Sequence, residues 1–292
     1  MTEKSELNKY AWLDPTRKSD APLIDSVVKV SRDFINSSSI IAKFGFLLLI
    51  IIIFVTILRI GTSILVWLLI PSKDPILIPG LNQAKTPVII PQDPTDNNSI
   101  QVLRSVNERK GMEFTWSIWM YIDDLNYRKD EYKHVFHKGN SNFVDGKVKP
   151  INAPGLYIKP GVNHLEIVMN TFDKINDNIV IENIPLFKWI NVIIRLNNQQ
   201  QLDVYINGVL TKRHELDGVA RQNYGNVYST MDGGFSGYTS ELRYFDNAIG
   251  IGKINEIVLK GPNLKIYSNK SGNDITTSKP QYLSTKWYFT EN

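Results

Sequence analysis

The chain contains no cysteine. That excludes disulfide staples, thiolate catalysis and cysteine-ligated zinc or iron–sulfur sites, so any exported part must be stable on its packing alone. A basic excess is missing too. The net charge of +4 divides into 8 Lys/Arg against 6 Asp/Glu in residues 1–70, and 25 against 23 in residues 71–292. Neither part has the cationic surplus that a phosphate backbone demands, and no nucleic-acid partner is expected. Histidine is scarce, at four. Two of them, His134 and His137 in "HVFH", lie three apart in a strand-like stretch; strand alternation sends them to opposite faces, so they are expected to be ordinary half-buried residues that share no metal. Neither a Ser/His/Asp arrangement nor a phosphate-cradling glycine loop is apparent, and "DGGFSG" (Asp232 to Gly237) lacks the strand–helix context such a loop needs.

What is abundant is apolar sequence, 42% of the chain. Much of it is concentrated in one run. No residue from Phe44 to Leu58 is charged, and after Arg59 the apolar character resumes as far as Ile70. The stretch Ile40–Ile70 exceeds the roughly 20 residues that span a bilayer, and a transmembrane helix is expected there. A buried core helix is the alternative, which such length with so few polar interruptions disfavours. Lys43 can snorkel at one end; Arg59 either snorkels at the other or faces a partner within a longer span. A cleavable signal peptide is not expected, because about 40 residues precede the run and it outlasts a 7–15 residue signal core. Lys29, Arg32 and Lys43 before the span outnumber Lys73 and Lys85 after it, which points to a single-pass protein with a cytoplasmic amino terminus. The sequons at Asn97 and Asn269 would then be open to glycosylation.

Five regions follow along the chain. Residues 1–39 are polar, with Leu23, Val27, Val30 and Phe34 spaced either for a short amphipathic helix or by accident in a flexible tail. Residues 40–70 form the span. Residues 71–98 hold Pro71, Pro75, Pro79, Pro87, Pro91 and Pro94 and are read as an extended stalk. Residues 99–262 alternate short strands and turns, the pattern of a β-sandwich. Residues 263–292 are a polar tail.

The sandwich signal is strongest in "FTWSIWMYI" (Phe114 to Ile122), bulky on both faces. Strands are also expected at "IQVLRSV", "KHVFHKG", "GLYIKP", "HLEIVMN", "NIVIENI", "INVIIRL", "LDVYIN", "VLTKRHEL" and "SELRYF". In the stretch Trp189 to Leu210, Ile190, Val192, Ile194 and Leu196 alternate inward, "NNQQ" turns the chain, and Leu202, Val204 and Ile206 alternate again. Asn207-Gly208 then supplies the positive φ of a two-residue hairpin. "IGKINEIVLKGP" places Ile251, Ile254, Ile257 and Val258 on one helical stripe ended by Gly261-Pro262.

Taken in order, "FTWSIWMYI", "YKHVFHKG", "GLYI", Trp189 with "INVIIRL", "LDVYINGVL", "GGFSGYTSELRYFDNAI" and the helix ending in "GP" resemble a laminin-G-like domain of the concanavalin A-like lectin and glucanase superfamily. The resemblance covers about residues 99–262. With the amino-terminal span and an Ile-, Asn- and Lys-rich composition, the chain looks like membrane-anchored proteins of large DNA viruses. The resemblance implies a mainly β fold, a two-sheet antiparallel jelly-roll sandwich with one amino-terminal transmembrane helix. It also implies that Trp189 packs into the core and that Gly237 and Tyr238 enter the last main strand.

Glucanases of that superfamily place paired carboxylates in the pattern Glu-x-Asp-x-x-Glu, flanking the scissile bond at about 5 Å. Here the nearest match runs from Glu215 to Ala220, lacks the second Glu and adjoins a loop. No catalytic residue is assigned, and the protein is not expected to be an enzyme. The resemblance also leaves room for one calcium ion at a sandwich rim, for which Asp123, Asp124, Asn126 and Asp232 are available, although such loop residues are commonly just solvated. No other cofactor is expected. The aromatics Tyr127, Tyr224, Tyr228 and Phe235 are the candidate ligand-binding residues, since loop aromatics combine stacking area with polar tips. The expectation is a membrane-anchored, non-catalytic module whose partners are the lipid bilayer and a glycan or protein ligand, on a virion or a host membrane. The alternatives are a structural tether between a membrane and a capsid or scaffold and, third, a glycoside hydrolase.

Overall fold

The computed structural model describes Ser26, Lys29, Val30, Arg32, Asp33, Asn36 and residues 39–69, 71–105 and 111–267. The chain divides after Ile70 into two units.

In the first unit, helix α1 (Ile40–Leu69) carries the apolar run. Residues Ile40–Trp67 have a mean hydropathy of 2.9, and the helix is long and apolar enough to cross a membrane. Thirty residues rise about 45 Å at 1.5 Å each, more than a hydrocarbon core requires. Its two threonine hydroxyls donate back into the helix, Thr56 Oγ1 to the Ile52 carbonyl at 2.7 Å and Thr62 Oγ1 to that of Arg59 at 2.9 Å. Neither therefore needs water as a partner. Of the expected amphipathic stretch, Ser26, Lys29, Val30, Arg32 and Asp33 are helical, whereas Leu23, Val27 and Phe34 lie outside the described residues.

The second unit is built on two six-stranded antiparallel sheets. The strands are β1 (Ile76–Gln83), β2 (Val88–Ile90), β3 (Phe114–Asp124), β4 (Lys133–Gly139), β5 (Phe143–Val144), β6 (Lys147–Val148), β7 (Asn152–Ile158), β8 (Leu165–Met169), β9 (Asp177–Ile181), β10 (Trp189–Asn197), β11 (Gln201–Ile206), β12 (Val209–Glu215), β13 (Asn226–Ser229) and β14 (Ser236–Phe245), followed by helix α2 (Ile251–Lys260). One sheet has the order β1-β14-β3-β10-β11-β12, the other β2-β13-β4-β7-β8-β9, and β5-β6 is a small separate hairpin. Phe114, Trp116, Ile118, Met120 and Ile122 of β3 face Val135 and Phe136 of β4 and Leu156 and Ile158 of β7 in one continuous core.

Period-two alternation accounts for the central strands. Ile190, Val192, Ile194, Leu196, Leu202 and Val204 all reach that core, and Ile206 packs against it. Asn198 and Gln199 take positive φ in the first turn; Asn207 at 51° and Gly208 at 82° form the second. The opposite face of the sheet that holds β10, β11 and β14 is covered as well. Ile254 and Ile257 of α2 bury themselves against Ile193, Tyr205 and Phe245, while Ile251 stays exposed and Val258 is half-buried. Gly261 ends the helix at φ 73°.

Several boundaries move. Residues 71–98 are not a free stalk: they supply β1 and β2, and bury Leu77, Ile78, Ala84, Val88 and Ile90 in the core. Proline permits this because both strands are edges. Pro79 lies within the register shift of β1 against β14 between Ile78 and Leu81, where a missing N–H interrupts no ladder. The sandwich also extends past 262, since the Leu81 N–H donates to the Lys265 carbonyl and the Tyr267 N–H to that of Leu81, each at 2.7 Å. No strand forms over Ile100 to Ser105, and β13 occupies a segment where none was expected. Trp189 opens β10 as expected but stands half-buried beside Tyr121, with ring centroids 5.7 Å apart, rather than in the core. Its number is odd, and the inward residues of β10 are even.

Candidate functional site

A cleft of about 890 Å³ opens between the two sheets. Its floor is core: Phe114 and Trp116 from β3, Ala153 from β7 and Tyr244 from β14. Its walls are the segments 92–104 and 219–226, with Met112 and Phe172 completing the lining. Strand alternation explains one further lining residue. Phe136 points inward to stack on Trp116 at 5.4 Å, so Lys138, two positions on, enters the same face and lines the cleft.

Lys138 is 7% exposed. Its Nζ donates to the Gly225 carbonyl at 2.7 Å. Burial pulls its pKa down to about 8, since the charged form loses hydration. Most other polar groups in the walls are engaged internally. Asn223 Nδ2 donates to the Lys138 carbonyl and its Oδ1 accepts the Gly225 N–H; Asn226 Oδ1 accepts the Gln92 N–H. The Gln92 amide donates to carbonyls at Ile90, Pro91 and Ile100 and accepts the Val102 N–H. Asp93 accepts both the N–H and the hydroxyl of Thr95, which holds its carboxyl below the usual range.

The four expected ligand-binding aromatics separate. Tyr224 lines the cleft and is 92% exposed. Tyr228 is 8% exposed, stacked on His137 with centroids 4.8 Å apart, and Phe235 is fully buried in the core. Phe235 faces the core at the entry to β14, whereas Tyr228 lies on the opposite face of β13 beneath His137, so neither is a rim contact. Tyr127 is half-buried, its hydroxyl donating to the Gly233 carbonyl at 3.0 Å under the Lys85 ammonium.

The proposed calcium residues are not gathered into one cage. Asp232 pairs with Arg128 at 3.3 Å, and Asp124 Oδ1 accepts the Asn126 N–H at 2.7 Å. Among the described residues no three His, Cys, Asp or Glu side chains come together as metal ligands. Glu215 ends β12 exposed, and Asp217 is exposed in the following turn, paired with Lys174. Asp93 is the carboxylate of the cleft lining.

The histidines overturn the alternation argument. A register shift against β7 between His134 and Phe136 inserts one residue, which returns His137 to the face of His134. His134 Nε2 and His137 Nδ1 are 2.7 Å apart, and both side chains are fully buried. The Met231 N–H donates to His134 Nδ1 and His137 Nε2 lies 2.7 Å from the Asn140 carbonyl, so one neutral tautomer of each ring satisfies the whole chain. Burial lowers both pKa values, that of His137 to about 4.

Lys138 escaped the sequence reading, although "KHVFHKG" holds its signal in the shared parity of Phe136 and Lys138. Arg104 and Gln101 in the wall came from a segment read as strand.

No family model matches the chain. No curated protein matches it either. Among solved structures it is similar to the receptor binding domain of botulinum neurotoxin D (15% identity, TM-score 0.45, covering 65% of this chain and 44% of that one). It is also similar to the binding domain of botulinum neurotoxin serotype G (11% identity, TM-score 0.41, 62% and 46%), and to the receptor binding domain of the C/D mosaic serotype (15% identity, TM-score 0.40, 51% and 36%). The chain spans less than half the length of each of these three structures.

Proposed function

We propose that the sandwich is a non-catalytic recognition module that takes a glycan in the cleft between its sheets. The observation that carries this is the cleft itself: an apolar floor, polar walls and Tyr224 standing almost fully exposed among its lining. An exposed ring offers a stacking face to a sugar, and amide side chains such as Gln101 and Gln222 suit its hydroxyls. A two-carboxylate mechanism has no support there, since Asp93 is the acidic side chain of the lining and already binds Thr95. Helix α1 supports membrane anchoring, and Lys29, Arg32 and Lys43 before it against Lys73 and Lys85 after it favour a cytoplasmic amino terminus. The laminin-G-like relationship and placement on a virion or host membrane belong to the same reading.

A glycan array probed with the full chain in nanodiscs tests it. One sugar class is expected to bind, and Tyr224→Ala is expected to weaken that binding without changing the melting temperature. Binding to no glycan, or binding indifferent to Tyr224→Ala, would remove the reading. The anchor is tested by alkaline carbonate extraction, which is expected to leave the chain in the membrane pellet.

A further inference from the structure

We infer that the cleft selects an acidic sugar, one carrying a carboxylate or sulfate group that pairs with the Lys138 ammonium. This rests on the glycan reading above. An ammonium has three N–H donors. Gly225 takes one of them, and among the described residues no carboxylate lies within ion-pair distance of Nζ. Among the described residues Lys133 is the other deeply buried lysine without an ion pair, but it does not line the cleft, and the deeply buried acids are all paired. Asp203 has Arg195 and Arg213, Asp177 has Lys174 and His214, Glu166 has Lys147, and Glu241 has Lys260. Lys138 differs from these by opening onto a cleft.

A purely structural reading makes Lys138 a strut that caps the Gly225 carbonyl. That task needs one neutral donor, which a glutamine could supply without burying a charge. A buried ammonium without a counter-ion destabilises the fold, and an anion arriving through the cleft would offset that penalty. The charge of the lining favours such a visitor: among the described residues, Lys138 and Arg104 stand against Asp93 alone. The depressed pKa adds a signature, because ligand-induced reprotonation of the amine must show as proton uptake near pH 8. Asp93, Arg104, Tyr224 and Tyr244 are the other titratable groups of the lining. Of these, Asp93 is shifted down, and burial raises the Tyr244 phenol, so both keep one state through that range.

The test compares lactose, sialyllactose and sulfated lactose, with inorganic sulfate as the anion alone, by calorimetry on the full chain in nanodiscs. At least one acidic sugar is expected to bind about tenfold tighter than lactose, and the sialylated and sulfated arms identify which acid is read. Lys138→Gln is expected to abolish that preference while melting as the wild type does, and the wild-type preference is expected to fade above pH 8. Equal binding of lactose and both acidic forms, or a preference that survives Lys138→Gln, overturns the acidic assignment and leaves the glycan reading standing. Sulfate binding as tightly as sulfated lactose overturns the sugar part and leaves an anion site. If none of the sugars binds, here or on the array, the glycan reading falls and this inference falls with it.

Discussion

His137 and Lys138 are neighbours in β4, both buried, both shifted away from their charged forms, and they serve opposite ends. His137 faces outward into a cage of Tyr228, Phe143 and His134. The acceptors and donors of the two imidazoles close on each other, on the Met231 N–H and on the Asn140 carbonyl. Lys138 faces inward, makes one hydrogen bond and opens onto a cleft. A buried polar group with every bond satisfied holds a fold together; one with donors to spare is available to something else.

The largest expected effect removes the support of both. A chain beginning at Thr95 lacks β1 and β2, and with them the partner of β13, which supplies Tyr228 and pairs with β4. It is expected not to fold, whereas one beginning at Pro71 is expected to be soluble and to unfold cooperatively. Circular dichroism melting separates the two, and a folded Thr95 chain would show that the edge strands are dispensable.

Next is the imidazole pair alone. His134→Ala leaves the Met231 N–H and His137 Nδ1 without their partner and opens a cavity, so a loss of about 3 kcal/mol is expected in urea unfolding. Acid should reach the same pair without mutation. A histidine held neutral in the fold stabilises it above the unfolded pKa of 6.5, and that stabilisation drains away as pH falls toward the folded value of about 4. His137 alone accounts for about 3 kcal/mol across that window, and His134 acts in the same direction. Flat stability between pH 7 and 4.5 would contradict the closed network.

Lys138→Met is expected to behave differently, with unfolding free energy at pH 7 within about 1 kcal/mol of wild type or above it, because the variant deletes an uncompensated charge. The sign of its pH dependence follows from the depressed folded pKa. Wild-type stability should rise between pH 8 and 10.5 as the folded amine deprotonates first, and the variant should lack that rise. Smallest of all, Glu215→Gln with Asp217→Asn should change stability by less than about 0.5 kcal/mol, since both carboxylates are exposed. A large loss there would mean that surface charge, and not closure of buried bonds, sets the hierarchy.

Local rules made much of this architecture legible. The alternation in "INVIIRL" and "LDVYIN" placed six core residues, and Asn207-Gly208 announced its own turn, because strand period and positive φ are properties of a few consecutive residues. The apolar run of α1 follows in the same way from composition. Of the site, Tyr224 was legible as an exposed aromatic in a loop.

Edge position, register and depth were decided only by the tertiary structure. Prolines in residues 71–98 argued for a stalk because nothing local says that a strand will be an outermost one, where a missing N–H is harmless. His134 and His137 argued for opposite faces because a single inserted residue, fixed by pairing with β7, reverses parity for all that follow. Tyr228 and Phe235 looked like rim residues until β13 and β14 were set beside their neighbours. Lys138 acquires its meaning from Gly225, 87 residues away, and from the absence of any carboxylate beside it among the described residues. The sequence by itself determined the elements, the strand faces and the apolar helix, since these depend on side chains a few positions apart. Which charge lies buried without a counter-ion depends on which segments the chain brings together, and that only the packing of the two sheets decides.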